Sequence, residues 1–255
     1  MGGAAGLLSG LFGVGGGILI VPGLALLLGM DQHRAHGTSL AAILPIALSG
    51  VAGYAMEGAV DWPAAGLLSI GAVAGAVIGT GLLPRIPRRA LRRGFAGFLV
   101  LSAAALLVRA PEALGRGPLD PSAVAGLIGL GLLSGSVAGL LGVGGGVIMI
   151  PALVVLFSVP AAVAKGTSLV VIIPTATAGT VQNVRRGNAD LPVAAVTGLA
   201  GVASAFAASL LSVRLDPTLS GALFAALLLA VALQLAATPT RSWPEAWTRR
   251  RTPPG

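Results

Sequence analysis

The chain carries two glycine-rich segments whose main-chain N–H groups are suited to binding an anion. Each reads Gly-x-Gly-Gly-Gly, with proline after four more residues, at 13–22 and again at 142–151. Glycine costs about 1 kcal/mol relative to alanine inside a helix, so each segment predicts a helix break. The helix that restarts there presents free N–H groups and its positive dipole end, and glycine allows close approach of a ligand. The predicted ligand-contacting glycines are Gly13, Gly15, Gly16, Gly17, Gly142, Gly144, Gly145 and Gly146.

Hydroxyl and amide side chains extend this predicted binding site. The sequence Gly-Thr-Ser-Leu follows both glycine segments, and we predict that its hydroxyl groups donate hydrogen bonds to the anion. The four residues are Thr38, Ser39, Thr167 and Ser168. The alternative is that they cap the helices beginning there, a common role of Ser and Thr. Gln182 and Asn183, late in an apolar run, are predicted to line the pathway or, alternatively, to lie at the membrane interface.

Charged residues flank the same motifs. His36 and Lys165 immediately precede the two Gly-Thr-Ser-Leu sequences. We predict that they lie at opposite mouths of the pathway and attract anions; the alternative is an ordinary interfacial basic residue. Glu57, Asp61 and Asp190 are candidates for carrying coupling protons. For both aspartates, N-capping of a helix is the favoured role.

Composition and spacing argue against other chemistries. The chain has no Cys, which excludes disulfides, thiolate metal sites and a Cys nucleophile, and its two His are too few for a histidine-based metal site. The glycine segments lack the Gly-Lys-Ser/Thr ending of a phosphate-binding loop and the strand and spacing of a dinucleotide fingerprint. Ser, His and Asp form no hydrolytic arrangement. We therefore predict neither an enzyme nor a bound cofactor.

The elements that position these residues are predicted to be membrane helices. The chain has 255 residues, of which 55% are hydrophobic and 9% charged; its mean hydropathy is +0.94. Ordinary soluble domains contain about 25% charged residues. The net charge of +8 suggests positive loops rather than a nucleic-acid surface, because Arg lies between or after apolar runs with few aromatics for base stacking. The apolar N-terminus leads straight into the glycine motif, so we expect it to belong to the mature fold.

The sequence repeats itself at a constant offset of 129 residues from about residue 6 to residue 65. This internal repeat predicts two homologous transmembrane halves. We place them at residues 1–108 and 123–238, with a linker at 109–122 and a basic, disordered tail at 239–255. The predicted fold is an all-α polytopic membrane protein. Each half has one glycine-broken or re-entrant helix and three transmembrane helices, giving six full spans plus two re-entrant segments, or eight spans if all cross.

The placement of Lys and Arg favours inverted halves. If every glycine segment crosses the membrane, the 16 Lys and Arg divide equally between the two sides. If both segments are re-entrant, twelve fall on one side and four on the other, in agreement with the positive-inside rule. The re-entrant arrangement predicts opposite topology for the halves and cytoplasmic termini. It also places an arginine cluster on the cytoplasmic side, where we expect it to contact anionic lipid headgroups. This cluster is Arg85, Arg88, Arg89, Arg92 and Arg93.

The two glycine segments at 13–22 and 142–151, each followed by Gly-Thr-Ser-Leu, resemble those of the TauE/SafE family of sulfite exporters and related permeases. The resemblance covers about residues 4–237. It implies a multi-pass plasma-membrane carrier with seven or eight spans. Members of the family are associated with export or uptake of sulfite, sulfoacetate and related organosulfonates, so the resemblance implies a sulfur-containing anion as substrate.

Taken together, the residues predict an alternating-access transporter for a small anion, with the two glycine breaks forming a site at the membrane midplane. The sulfur in the substrate rests on the family resemblance alone. Two other classes stay open at this stage: an anion channel, which would use the same helix ends, and a non-transporting accessory membrane protein, which would need no anion site.

Overall fold

A computed structural model describes residues 1–82, 88–108, 117–141 and 144–237. In these ranges the chain forms ten helices and no strand, which confirms the prediction of an all-helical fold. In chain order, the helices are α1 (Gly2–Phe12), α2 (Gly17–Leu27), α3 (Gln32–Met56), α4 (Trp62–Leu82), α5 (Arg88–Val108), α6 (Pro121–Leu141), α7 (Gly146–Phe157), α8 (Ala161–Arg185), α9 (Leu191–Arg214) and α10 (Pro217–Ala237).

Five stretches of these helices are long and apolar enough to cross a membrane, as a polytopic membrane protein requires. They are His33–Met56, Pro121–Gly139, Ala161–Arg185, Leu191–Arg214 and Pro217–Gln234. By contrast, α1, α2 and α7 have only 11, 11 and 12 residues. At about 1.5 Å per residue they are too short for a hydrocarbon core of about 30 Å.

The glycine segments join helices of unequal length in the two halves. In the first half, the break separates two short helices, α1 and α2. In the second half, it separates the 21-residue α6 from the short α7. The second half therefore has a first arm of spanning length, so its break is not the junction of two half-helices that the re-entrant arrangement requires.

The internal repeat is reproduced in the helices themselves. Helices α3 and α8 begin and end at residues 129 apart, and so do the starts of α4 and α9. Two equivalent aspartates begin the latter pair. Asp61 Oδ1 accepts a hydrogen bond from the N–H of Ala64, and Asp190 Oδ1 accepts one from the N–H of Val193. The predicted N-cap role of both aspartates is confirmed.

Small residues bring helices of opposite halves into direct contact. A Cβ added to Gly71 or Gly75 of α4 would collide with the backbone of Ile128 or Leu132 in α6. The same close approach joins α1 to α9, where Gly6 and Gly10 pack on Gly201 and Ala205. Residue numbers rise together along both contacts, so the paired helices run parallel. The predicted packing role of glycine is confirmed for these positions.

The long helices α3 and α8 cross at the centre in opposite directions. Gly50 of α3 packs on Leu169 of α8, and the equivalent Gly179 of α8 packs on Leu40 of α3. This reciprocal contact is the signature of a two-fold axis between the halves. Because α3 and α8 are equivalent helices and run antiparallel, the two halves have the relation that an inverted repeat requires. Their orientation in a bilayer stays a prediction.

Helices α1 and α3 both run parallel to α9, so α2 carries the chain back between them. The buried apolar side chains lie along α3 and α8 and around α7. Long aliphatic side chains on the outside of the bundle are exposed, as expected for a surface that meets lipid; examples are Leu26, Leu133, Leu156 and Val196. The domain boundaries stay predictions, since residues 109–116 and 238–255 lie outside the described part of the chain.

Candidate functional site

Both glycine segments interrupt a helix with left-handed backbone. Gly13, Gly15 and Gly16 have φ angles of 70°, 76° and 76°, and Gly144 and Gly145 have φ angles of 88° and 76°. Residues with a Cβ rarely adopt this region, so glycine is needed here for the turn itself. Gly13 ends α1, Gly16 precedes α2 and Gly145 precedes α7. Gly142 lies outside the described residues.

The two breaks contact each other in the middle of the molecule. A Cβ added to Gly146 would lie 3.1 Å from Val14 Cα, and one added to Gly144 would lie 3.5 Å from the Val14 carbonyl oxygen. Two isoleucines at equivalent positions, Ile43 of α3 and Ile172 of α8, pack against Gly15. Sequence reasoning missed both, although the offset of 129 residues pairs them. The contact of the breaks therefore coincides with the crossing of α3 and α8.

Helices α2 and α7 both start at this contact. The N–H groups of their first turns, which include those of Gly17 and Gly146, have no acceptor within their own helix. Each helix end carries a partial positive charge equivalent to about half an elementary charge. Two such ends meeting at one place, lined by glycine and aliphatic side chains, can stabilise one small anion without an ion pair.

The Gly-Thr-Ser-Leu residues lie in the second turn of α3 and α8 rather than at their starts. The N-caps are Asp31 and Pro160, so the alternative that the hydroxyls cap these helices is wrong. Thr38 Oγ1 accepts from the N–H of Asp190, and Thr167 Oγ1 accepts from the N–H of Asp61, both at 2.9 Å. Each threonine thus ties one half to the loop that begins a helix of the other.

The two serines differ. Ser168 Oγ lies 2.7 Å from the carbonyl oxygens of both Gly13 and Lys165, and it therefore links α8 to the first glycine break. Ser39 Oγ is fully buried and has no hydrogen-bond partner among the described residues. A buried hydroxyl without a partner is costly, which makes Ser39 a candidate ligand contact. Neither observation tests whether these side chains touch an anion.

A pocket reaches the second glycine break from the side of Gln182 and Asn183. Its lining residues are Leu40, Ala76, Val77, Ala138, Gly139, Thr175, Ala178, Gly179, Gln182 and Asn183. Ala138 connects it to the break, because a Cβ added to Gly145 would lie 3.2 Å from the Ala138 Cβ. The structure thus places both predicted amides beside a route to the predicted site.

The equivalent position in the first half is sealed by Tyr54. Tyr54 corresponds to Asn183, and Gly10 corresponds to Gly139. The fully buried Tyr54 donates a hydrogen bond of 2.7 Å from its hydroxyl to the Gly10 carbonyl oxygen. Gly139 and Asn183 instead line the pocket. The offset already pairs tyrosine with asparagine in the sequence, but the closed and open consequences need the structure.

The two basic residues have different surroundings. His36 is partly exposed near the start of α3. Lys165 is buried, and its Nζ lies 3.1 Å from Ser212 Oγ and 2.6 Å from Ser220 Oγ. Their role in attracting anions at the mouths stays a prediction. The arginine cluster of residues 85–93 and the tail at 239–255 fall outside the part of the chain whose side chains are described.

Comparison with known proteins places this fold in a family of membrane carriers. The model of a family described as "Sulfite exporter TauE/SafE" matches residues 1–106 and 127–255, which is nearly the whole chain. No solved structure matches.

Curated relatives share the whole length of the fold. A protein named "Probable membrane transporter protein" from Xylella fastidiosa (strain 9a5c) is 29% identical over 254 residues, covering 95% of this chain and 94% of the relative. YunE of Bacillus subtilis (strain 168), with the same description, is 29% identical over 210 residues, covering 73% and 77%. YjnA of the same strain is 27% identical over 248 residues, covering 92% and 97%.

Proposed function

Because this chain belongs to the sulfite exporter TauE/SafE family, we propose that it carries a small sulfur oxyanion or organosulfonate across the plasma membrane by alternating access. That the protein is a multi-pass membrane transporter follows from the family, from its relatives and from five apolar helices of spanning length. The class of anion and the mechanism are the proposed part. The proposal needs no enzymatic step and no cofactor.

The observation that carries the proposal is the meeting of two glycine breaks at the crossing of equivalent helices. Helices α2 and α7 begin there, and the first-turn N–H groups of each would face the anion. Carriers built from inverted repeats hold their substrate at such a place, between broken helices at the repeat interface. The proposed contacts are the glycines of both segments, with the hydroxyls of Thr38, Ser39, Thr167 and Ser168 behind them.

The difference between the halves supports alternating access. On the side of Asn183 a pocket leads towards Gly145, whereas Tyr54 closes the equivalent place on the other side through Gly10. Rocking of one repeat against the other would break the Tyr54 hydrogen bond and close the pocket. In this proposal Gln182 and Asn183 line the open half of the pathway.

We propose that both termini and the arginine cluster at 85–93 lie in the cytoplasm, where the cluster contacts anionic lipid headgroups. The chain lacks cysteine, so single-cysteine variants report position without background. Glu57 and Arg186 are exposed and equivalent in the repeat. We expect Glu57→Cys to react with an impermeant maleimide added outside intact cells, and Arg186→Cys to react only after the membrane is opened. Labelling of both from the same side contradicts the inverted arrangement.

The function is tested by flux measurements on the purified protein in liposomes. We expect saturable uptake of at least one anion from a panel of radiolabelled sulfite, thiosulfate, sulfate and sulfoacetate, with empty liposomes as the control. Single-channel currents in a planar bilayer would instead identify an anion channel. Absence of flux and of thermal stabilisation by every anion in the panel would favour an accessory membrane protein.

A further inference from the structure

A lysine is buried at the closed end of the molecule without a carboxylate partner. Lys165 is 1% exposed, and its Nζ contacts the hydroxyls of Ser212 in α9 and Ser220 in α10. The face of the Phe12 ring lies on another side, with its centroid 5.8 Å from Nζ. Among the described residues, no carboxylate lies within salt-bridge distance of this ammonium group. Four helices thus enclose one positive charge.

The remaining hydrogen-bonding capacity of this cluster consists of donors. An ammonium group has three N–H donors and no acceptor. The Ser212 hydroxyl gives its own proton to the Leu11 carbonyl oxygen at 2.8 Å, so towards Lys165 it serves as an acceptor. Within the described residues, the Ser220 hydroxyl proton has no acceptor. A positive charge with unused donors is complementary to an oxyanion, which offers acceptors only.

The repeat fold does not require this cluster. The residues equivalent to Lys165, Ser212 and Ser220 in the first half are His36, Leu83 and Leu91. The same helix positions are therefore occupied by two leucines in one half and by two hydroxyls around a lysine in the other. An uncompensated buried charge is costly to a fold, so its presence in only one half indicates a use other than packing.

The cluster adjoins the first glycine break. A Cβ added to Gly13 would lie 2.8 Å from Lys165 Cα, and the Ser168 hydroxyl lies 2.7 Å from the carbonyl oxygens of both residues. Anything bound at Lys165 is therefore one helical turn from the turn that leads into α2. On the far side, Arg214 and Glu57 form an exposed ion pair near the ends of α9 and α3.

We propose that Lys165, Ser212 and Ser220 form a second anion site, the lysine site, which takes a small oxyanion before it passes to the glycine breaks. The site is closed in this conformation and opens when α1 and α10 separate on the Tyr54 side. In the absence of an anion, the two hydroxyls and the Phe12 ring hold the ammonium group. The lysine site rests on the proposed function, because it is a station on the same pathway.

The test compares variants in the liposome flux assay, using the anion of the panel that the unsubstituted protein transports. Lys165→Met keeps the length and apolar stem of the side chain and removes the charge. We expect it to raise KM by roughly tenfold or more, the effect of losing one charge-assisted hydrogen bond. Lys165→Arg, which keeps the charge, should recover part of the loss. The matched control is Arg214→Met, which removes a cation whose side chain is 74% exposed at the same end of the molecule; we expect its KM to stay within about twofold.

Ser220→Ala provides a second measurement that leaves the charge in place, and it is used if Lys165→Met does not accumulate. We expect Ser220→Ala to raise KM several-fold, because it removes the unused donor. An unchanged KM in Lys165→Met, or in Ser220→Ala where that variant replaces it, overturns the lysine site and leaves the proposed function intact. If the unsubstituted protein transports no anion of the panel, the proposed function fails and the lysine site fails with it.

Discussion

Replacing Gly145 with valine is expected to abolish anion flux while the protein still accumulates in the membrane. Gly145 has a φ of 76°, and its added Cβ would lie 3.1 Å from the Ser134 carbonyl oxygen and 3.2 Å from the Ala138 Cβ. A β-branched residue in the left-handed region costs roughly 1–2 kcal/mol before any clash. The start of α7 must shift to accommodate it, and with it the N–H groups proposed to hold the anion.

The matched control for this substitution is Gly187→Val. Gly187 has a φ of 69°, close to that of Gly145, but no atom lies within 4 Å of its added Cβ. Both variants therefore carry backbone strain, and only Gly145→Val disturbs packing at the glycine break. Flux in liposomes and the melting temperature are measured for both. Normal flux in Gly145→Val, or equal loss in the two variants, would argue against a site at the breaks.

Gly16→Val extends the test to the first half. Gly16 has the same φ of 76°, and its added Cβ would lie 2.7 Å from the Ala5 carbonyl oxygen. If the two breaks contribute one site together, each single substitution should be sufficient to abolish flux. A Gly16→Val variant with full activity would leave only the second break as a candidate.

Substituting leucine for Gly135 is expected to cause the largest loss of stability of any single change considered for this protein. Gly135 of α6 is buried against α4, and its added Cβ would lie 2.6 Å from Ala72 Cα. Backbone atoms cannot move aside as a flexible side chain can, so α4 and α6 must separate. Overpacking costs typically about 1–3 kcal/mol, and a whole leucine side chain in a backbone contact should reach or exceed the upper end.

Gly129→Leu in the same helix is the control for Gly135→Leu. No atom lies within 4 Å of the Cβ added to Gly129. We therefore expect its melting temperature and elution profile in detergent to match those of the unsubstituted protein, whereas Gly135→Leu should melt markedly lower or fail to accumulate. Equal melting temperatures for the two variants would contradict the close contact of α4 and α6.

Several features of the fold were predictable because they depend on local properties of the chain. A run of apolar residues long enough to span a bilayer is visible in the composition, and a triple glycine within such a run breaks a helix through its own backbone freedom. The offset of 129 residues pairs α3 with α8 without knowledge of either structure. The aspartate N-caps at Asp61 and Asp190 follow from residue type and the proline that comes two residues later.

The predicted breaks, the repeat and the helical class were therefore determined by the sequence alone, since each is a property of neighbouring residues or of a self-comparison. Only the tertiary structure decided which groups meet. Ser168 reaches Gly13 and Thr38 reaches Asp190 across 155 and 152 positions of the chain. Lys165 is enclosed by serines and an aromatic ring from three other helices, and Tyr54 closes one half where Asn183 lines a pocket in the other. Such contacts depend on how the two halves interlock, and helix periodicity carries no information about that.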